Sequence, residues 1–352
     1  MTTQSNRFML LTPLFQKFIT ESSSGRRLTP SGKRISKGTI EQYKCVLKYL
    51  LEFEQLQNLP LRIRILNTFS QRVLHSEKLY WKRFFKNFSH WLYQRPCYDL
   101  YVCSVAKTLR SFFNYLSKEQ SLSVGNYHLL FKVPSQKLTP VVLEPHQLKF
   151  LITDINFRNS LSNTLQRIND IFIFGCTVGL RFGDLMHLKK TDVQYIGDNV
   201  FIILNTAKTA AQVKIPLPKY TVSIIEKYNK KSGKYVLPSI ANVNFNRHIK
   251  LLIEKAGWVY NLPKIRYQQG KAVELKNRYG NSCRFCDHIT AHTMRRTAIT
   301  TLLLLGVEEN IVRTISGHAP GSKEFYKYVG LVQSYLNSQV MDAYDKLLKI
   351  EE

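Results

Sequence analysis

Within "AHTMRRTAIT" the imidazole of His292 and the guanidinium of Arg295 stand three residues apart, so on a helix they share one face. Such a pair suits an anion: the guanidinium fork matches two phosphate oxygens, and the imidazole can donate or relay a proton near neutral pH. Arg181 stands in "TVGLRFGDL", directly after an apolar run, where burying an unpaired guanidinium is costly. Asp184 is its candidate partner, so a structural Arg–Asp pair competes with a functional arginine. Lys208, in "NTAKT", falls near the tip of an expected hairpin, where a solvated loop lysine is the plain alternative. Finally, "ISGHAPGSKEFYKYVG" holds His318 and two tyrosines, Tyr326 and Tyr328, placed eight and ten residues after it.

Together these groups fit one reaction. A phosphodiester attacked by a tyrosine hydroxyl passes through a pentavalent state with extra charge on its non-bridging oxygens. Arg181 and Arg295 can stabilise that charge, with His292 and His318 adding donors or proton transfer. A phenol with a solution pKa of about 10 needs such surroundings to act as a nucleophile near neutral pH. Lys208 on a hairpin is suited to protonate the departing 5′ oxygen. The aromatic cadence of "FYKYV" turns Phe325 inward with Tyr328 one turn later, which favours Tyr328 as nucleophile and leaves Tyr326 as a packing or DNA-facing ring.

The elements that must position these residues are mostly helical. Residues 21–38, "ESSSGRRLTPSGKRISKG", read as a loop or arm between two helices. From Thr39, a plausible N-cap, apolar residues recur at three- and four-residue spacing. "SEKLYWKRFFKNFSHWLYQ" and "YVCSVAKTLRSFFNYLSKEQ" continue the helical pattern with basic residues among aromatics. This gives a helical N-terminal domain over 1–125, a Pro-containing linker over 126–140 and a catalytic domain over 141–352. In the last of these, a buried helix leads to the turn bearing Arg181. The runs 200–204 and 213–217 then form a hairpin, and the His292 helix ends at Gly306.

The order Arg181, Lys208, His292-x-x-Arg295, His318, Tyr resembles the tyrosine recombinase, or phage integrase, family over residues of about 141–335. The resemblance implies a mainly α fold with a small β-sheet: a helical, SAM-like core-binding domain followed by a mixed α+β catalytic domain. It also implies a 3′-phosphotyrosyl intermediate, a free 5′ hydroxyl, and strand rejoining without metal, ATP or other cofactor. Neither candidate tyrosine falls at the usual family distance from His318; one is a residue short and the other a residue beyond, as a one-residue loop insertion would produce. The implied partners are double-stranded DNA and three further copies, a homo-tetramer on two duplexes. The tail, with Leu336, Val340, Ala343 and Leu347 on one face, is a candidate for the subunit contact. Type IB topoisomerase-like relaxation and non-catalytic DNA binding on the same fold are the alternatives.

Composition agrees with a polyanionic partner, since 51 Lys and Arg against 24 Asp and Glu give a formal charge of +27. Arg247, His248, Lys250, Lys264 and Arg266, in a basic helix and the basic stretch beyond it, are candidates for phosphate contact. No run of 18 apolar residues and no signal-peptide pattern occurs, so a cytoplasmic protein, nucleoid-associated in a prokaryotic host, is expected. The six scattered cysteines fit reduced thiols. Cys283, Cys286, His288 and His292 resemble a zinc set, but the gap between pairs is short and His292 has the stronger claim at the phosphate, so no metal is expected.

Overall fold

Apolar residues at helical spacing account for most of the architecture. A computed structural model describes residues 8–66, 70–134, 136, 139–206, 212–230, 233–319 and 321–348. The chain divides into two compact units: Met1–Lys137 with Ile265–Glu274, and Leu138–Lys264 with Leu275–Glu352.

In the first unit, β1 (Phe8–Leu10) runs into α1 (Leu11–Ser24), followed by α2 (Lys37–Gln57), β2 (Arg62–Arg64), α3 (Gln71–Tyr93) and α4 (Asp99–Lys118). β1 and β2 pair antiparallel with Met9 opposite Ile63. The helices bury their aromatic stripes against one another: Phe15 and Phe18 from α1, Phe53 from α2, Trp81, Phe84 and Phe88 from α3, Phe112 and Phe113 from α4. Trp81 meets Phe113 edge-on at 4.9 Å, a favoured ring geometry. Two local expectations are corrected. The segment 21–38 is helical through Ser24, and Gly25, at φ 84, ends the helix. Helix α2 is capped by Ser36, not Thr39, because the Ser36 hydroxyl accepts from the Thr39 amide and starts the helix earlier. Within 126–140, Tyr127–Leu130 form a 3-10 turn and Phe131 joins the core of this unit.

In the second unit, α5 (Pro145–Thr153) and α6 (Ile155–Ser160) precede α7 (Asn163–Val178) and α8 (Phe182–Met186). Next come β3 (Val193–Ile196), β4 (Asn199–Asn205) and β5 (Gln212–Pro216), then α9 (Lys219–Asn229), α10 (Asn242–Lys255), α11 (Phe285–His288), α12 (Ala291–Leu304), α13 (Glu309–Ile315) and α14 (Lys323–Leu348). The expected hairpin is β4 and β5, with Leu204 opposite Val213; β3 adds a third antiparallel strand that was not anticipated. Helix α7 is buried nearly all round, through Ile168, Ile171, Phe172, Phe174 and Val178. Ser162 caps its start, and Gly179, at φ 66, ends it. Along α14, Leu336, Val340, Met341 and Tyr344 are exposed. The side chains of Ala343 and Leu347 lie outside the described residues. Among the described residues, no helix is long and apolar enough to cross a membrane.

The stretch expected only to be basic holds β6 (Lys264–Gln268) and β7 (Lys271–Leu275). They are joined by Gln269 and Gly270, both at positive φ, as a two-residue turn matched to strand twist requires. Residues 265–274 belong to the first unit. There the buried carboxylate of Asp99 accepts from the amides of Gln269 at 2.8 Å and Gly270 at 2.9 Å, and from the Tyr93 hydroxyl at 2.7 Å.

Candidate active site

The second unit brings α12 unusually close to α7. A Cβ on Gly175 would stand 2.3 Å from the Met294 sulfur and 3.1 Å from the Met294 Cβ, so only glycine fits there. One turn later Gly179 lets Ala298 approach, and its carbonyl accepts from Arg295 Nη1 at 3.0 Å. Arg295, only 2% exposed, is thereby fixed at the end of α7. Arg181 follows two residues after Gly179 and starts α8 in an extended conformation. Its Nη1 is buried without a hydrogen-bond partner among the described residues. The Asp184 carboxylate partly offsets the cationic surroundings of Arg295.

His292 enters from the first turn of α12, which Thr290 and Thr293 cap. His318 arrives from the end of α13, where Gly317 turns the chain at φ 62. Arg295 Nη2 lies 3.2 Å from His318 Nδ1 and 3.3 Å from Nε2. The hydroxyl of Ser316 lies 2.8 Å from Nδ1. Gly317 also sits against Thr206 and Val213, at 3.6 and 3.5 Å from a Cβ placed on it. Those two residues flank 207–211; Lys208 itself lies outside the described residues.

The two tyrosines are treated differently by the fold. Tyr328 is 6% exposed, in a small cluster with Ile299, Val312 and Phe325, and its ring centroid is 6.0 Å from that of His318. Tyr326 is 51% exposed and packs only against Phe325 at 6.4 Å among the described ring contacts. A helix separates residues two apart by roughly 200°, so one ring faces the site and the other faces solvent.

The electrostatics describe a site with surplus positive charge. Burial, then Arg181, pushes the Arg295 guanidinium down to about 10, partly offset by Tyr328 and Asp184. Desolvation, then Arg295 and Arg181, pushes His318 down to about 4. His292 opens to solvent on one side, yet the protein crowding its other side, followed by Arg296, Arg295 and Arg181, holds it at about 4. Glu324, on α14, opposes the shift at both histidines. Neutral imidazoles beside guanidiniums therefore surround a place where an anion would be strongly stabilised.

Other sequence candidates are dispersed. Arg247 is exposed on α10, while His248 bonds the Asn244 carbonyl at 2.7 Å. Lys250 and Lys264 both bear on His288, whose Nε2 faces the Leu262 carbonyl at 2.7 Å. Arg266 belongs to the first unit and the other four to the second. Cys283 and Cys286 are buried, and Cys283 Sγ donates to the Leu275 carbonyl. Among the described residues, no group of three or more His, Cys, Asp or Glu is placed to hold a metal ion. Ser316, Glu324, Gly175 and the close approach of Ala298 to Gly179 were not anticipated. Ser316, two residues before His318, was the legible signal; the glycines needed the helix crossing.

The profile of the Phage integrase family matches residues 142–331. The chain is 23% identical over 303 residues to tyrosine recombinase XerC of Rickettsia canadensis (strain McKiel), covering 81% of this chain and 84% of that one. Its fold is similar to the Tn1549 transposon integrase in complex with transposon right end DNA, with TM-score 0.59 and 13% identity, covering 92% of this chain and 94% of that one. It is also similar to a lambda integrase tetramer bound to a Holliday junction, with TM-score 0.55 and 12% identity, covering 90% and 79%. With a profile match that spans more than half its length and coincides with the unit holding Arg181, His292, Arg295, His318 and Tyr328, this chain belongs to the phage integrase family, the tyrosine recombinases.

Proposed function

We propose that this chain is a site-specific DNA recombinase in which Tyr328 attacks a backbone phosphate of duplex DNA. One observation carries the assignment of residues: Arg295, His318 and Tyr328 converge, with an unpartnered buried guanidinium nitrogen of Arg181 in the same unit. In the cleavage step the Tyr328 oxygen bonds to phosphorus and the bond from phosphorus to the 5′ oxygen breaks. Arg181 and Arg295 bind the non-bridging oxygens as their charge grows. A neutral histidine, His318 or His292, accepts the phenolic proton. Lys208 gives its proton to the departing 5′ oxygen, a role supported by its neighbours Thr206 and Val213 lying against Gly317. Rejoining reverses these transfers with a 5′ hydroxyl from another strand, and the ester conserves the bond energy.

By likeness to its relatives, the working assembly is a tetramer on two DNA duplexes. The exposed apolar residues of α14, Leu336 and Val340 among them, are assigned to subunit contact. Arg247, Lys250, Lys264 and Arg266 are assigned to the DNA backbone, and the cytoplasm is the matching location. The test is trapping of a covalent adduct on a nicked suicide duplex by wild type, Tyr326→Phe and Tyr328→Phe. Adduct with wild type and Tyr326→Phe, and none with Tyr328→Phe, is expected. Loss in Tyr326→Phe alone would overturn the assignment. Absence of adduct in wild type would favour a binding protein, and plasmid relaxation without recombinants a topoisomerase-like activity.

A further inference from the structure

Ser316 belongs to no part of the phosphate site as described, yet it is a polar residue only 2% exposed and in contact with one of its histidines. Its hydroxyl has a single proton to give. The Arg313 carbonyl at 3.1 Å can take that proton, and the oxygen lone pairs then face His318 Nδ1 at 2.8 Å. A neutral imidazole carries one N–H, and the nitrogen that meets an acceptor is the one that keeps it. In that arrangement the proton of His318 sits on Nδ1 and the lone pair on Nε2. Arg295 Nη2 lies 3.2 Å from Nδ1 and 3.3 Å from Nε2, and in this tautomer Nε2 is the nitrogen that can accept from it.

We propose that Ser316 is a positioning residue that locks His318 in the Nδ1–H tautomer, so that Nε2 is the basic atom presented to the reaction. The inference rests on Tyr328 being the nucleophile. A base oriented by a third group through its far nitrogen is a recurring solution for activating a hydroxyl. Here the third group is a neutral hydroxyl. A carboxylate in that position would bond Arg295 and cancel the charge that binds phosphate, so a serine orients the ring without neutralising the site. Backbone geometry assists: Ser316 closes α13 in a helical conformation, and Gly317 turns the chain so that residue 318 folds back over residue 316. The charged and titratable groups facing His318 are Arg295 and His292 from α12, Arg181 from the turn before α8, and Glu324 and Tyr328 from α14. The carboxylate of Glu324 is paired with Lys327, and of the two groups at Nδ1, Ser316 Oγ at 2.8 Å and Arg295 Nη2 at 3.2 Å, Ser316 is the nearer and the one able to accept a proton from it.

The test uses the full-length chain labelled at its histidine nitrogens. Long-range nitrogen–proton correlation near neutral pH distinguishes the two tautomers, and the same proteins are assayed for adduct formation. Wild type is expected to show His318 as Nδ1–H. Ser316→Ala should release the tautomer toward Nε2–H and slow adduct formation by roughly tenfold or more. Ser316→Thr, which keeps a hydroxyl, should restore both. An Nε2–H signal for His318 in wild type overturns the proposal, and that measurement depends on no variant folding. An unchanged tautomer in Ser316→Ala overturns it equally. Adduct persisting in Tyr328→Phe, with His318 still Nδ1–H, would instead sink the assignment of the nucleophile and leave the tautomer lock standing.

Discussion

Replacing Gly179 by alanine tests whether the crossing of α7 and α12 holds the arginine site. Gly179 sits at φ 66, and an alanine in that left-handed region costs roughly 1–2 kcal/mol. Its Cβ would fall 3.2 Å from the Ala298 Cβ on α12, a few tenths of an ångström inside ordinary contact. Overpacking of that small degree belongs at the low end of the usual range, about 1 kcal/mol. The stiffer unfolded chain returns about 0.4–1 kcal/mol. The expected net loss is about 2 kcal/mol. Because the Gly179 carbonyl holds Arg295 Nη1, the displacement also reaches the phosphate site, and a shift of a few tenths of an ångström should slow adduct formation by about tenfold. Native-state hydrogen exchange on α7 and α12 measures the stability loss locally. Gly183→Ala is the control: a Cβ there meets nothing within 4 Å and its φ is not left-handed, so no loss is expected. Equal protection of α7 and α12 in Gly179→Ala and Gly183→Ala would refute the reasoning.

The low histidine values set a pH dependence. Above about pH 6.5, His292 and His318 are neutral in both folded and unfolded chains and contribute no slope. As the pH falls from there toward about 4, the unfolded chain binds protons that the folded site refuses, so stability declines across that window and levels below it. Discounted for the solvent access of His292, the pair should account for on the order of 3 kcal/mol, most of it from His318. The difference in denaturant stability between wild type and a His292→Gln, His318→Gln variant should therefore shrink as the pH falls; a constant difference would contradict the assignment. In the first unit, Asp99→Asn turns an acceptor of three hydrogen bonds into a group that must oppose one donor with another. A loss of about 2–3 kcal/mol is expected, seen as faster exchange at the Gln269 and Gly270 amides, and undiminished protection there would count against it.

The amino-acid order by itself determined a good deal. Helix period, the three-residue spacing of His292 and Arg295, and the hairpin of 200–204 with 213–217 follow from local preferences that neighbouring residues set. The ordered series from Arg181 to His318 was legible for the same reason, as were the Gly179 and Gly306 helix ends. Local preference could not settle which face of α14 meets the site. Tyr326 and Tyr328 differ by two positions, and only the packing of Phe325 against Ile299 and Val312 turns one ring toward His318 and the other into water. Nor could it show that Arg181 Nη1 would be buried without a hydrogen-bond partner among the described residues, or that Gly175 would admit Met294. The docking of 265–274 on Asp99, and the hydroxyl of Ser316 on His318, likewise join groups whose meeting depends on chain path. Those features are set by long-range packing and burial, which act only once the helices have assembled.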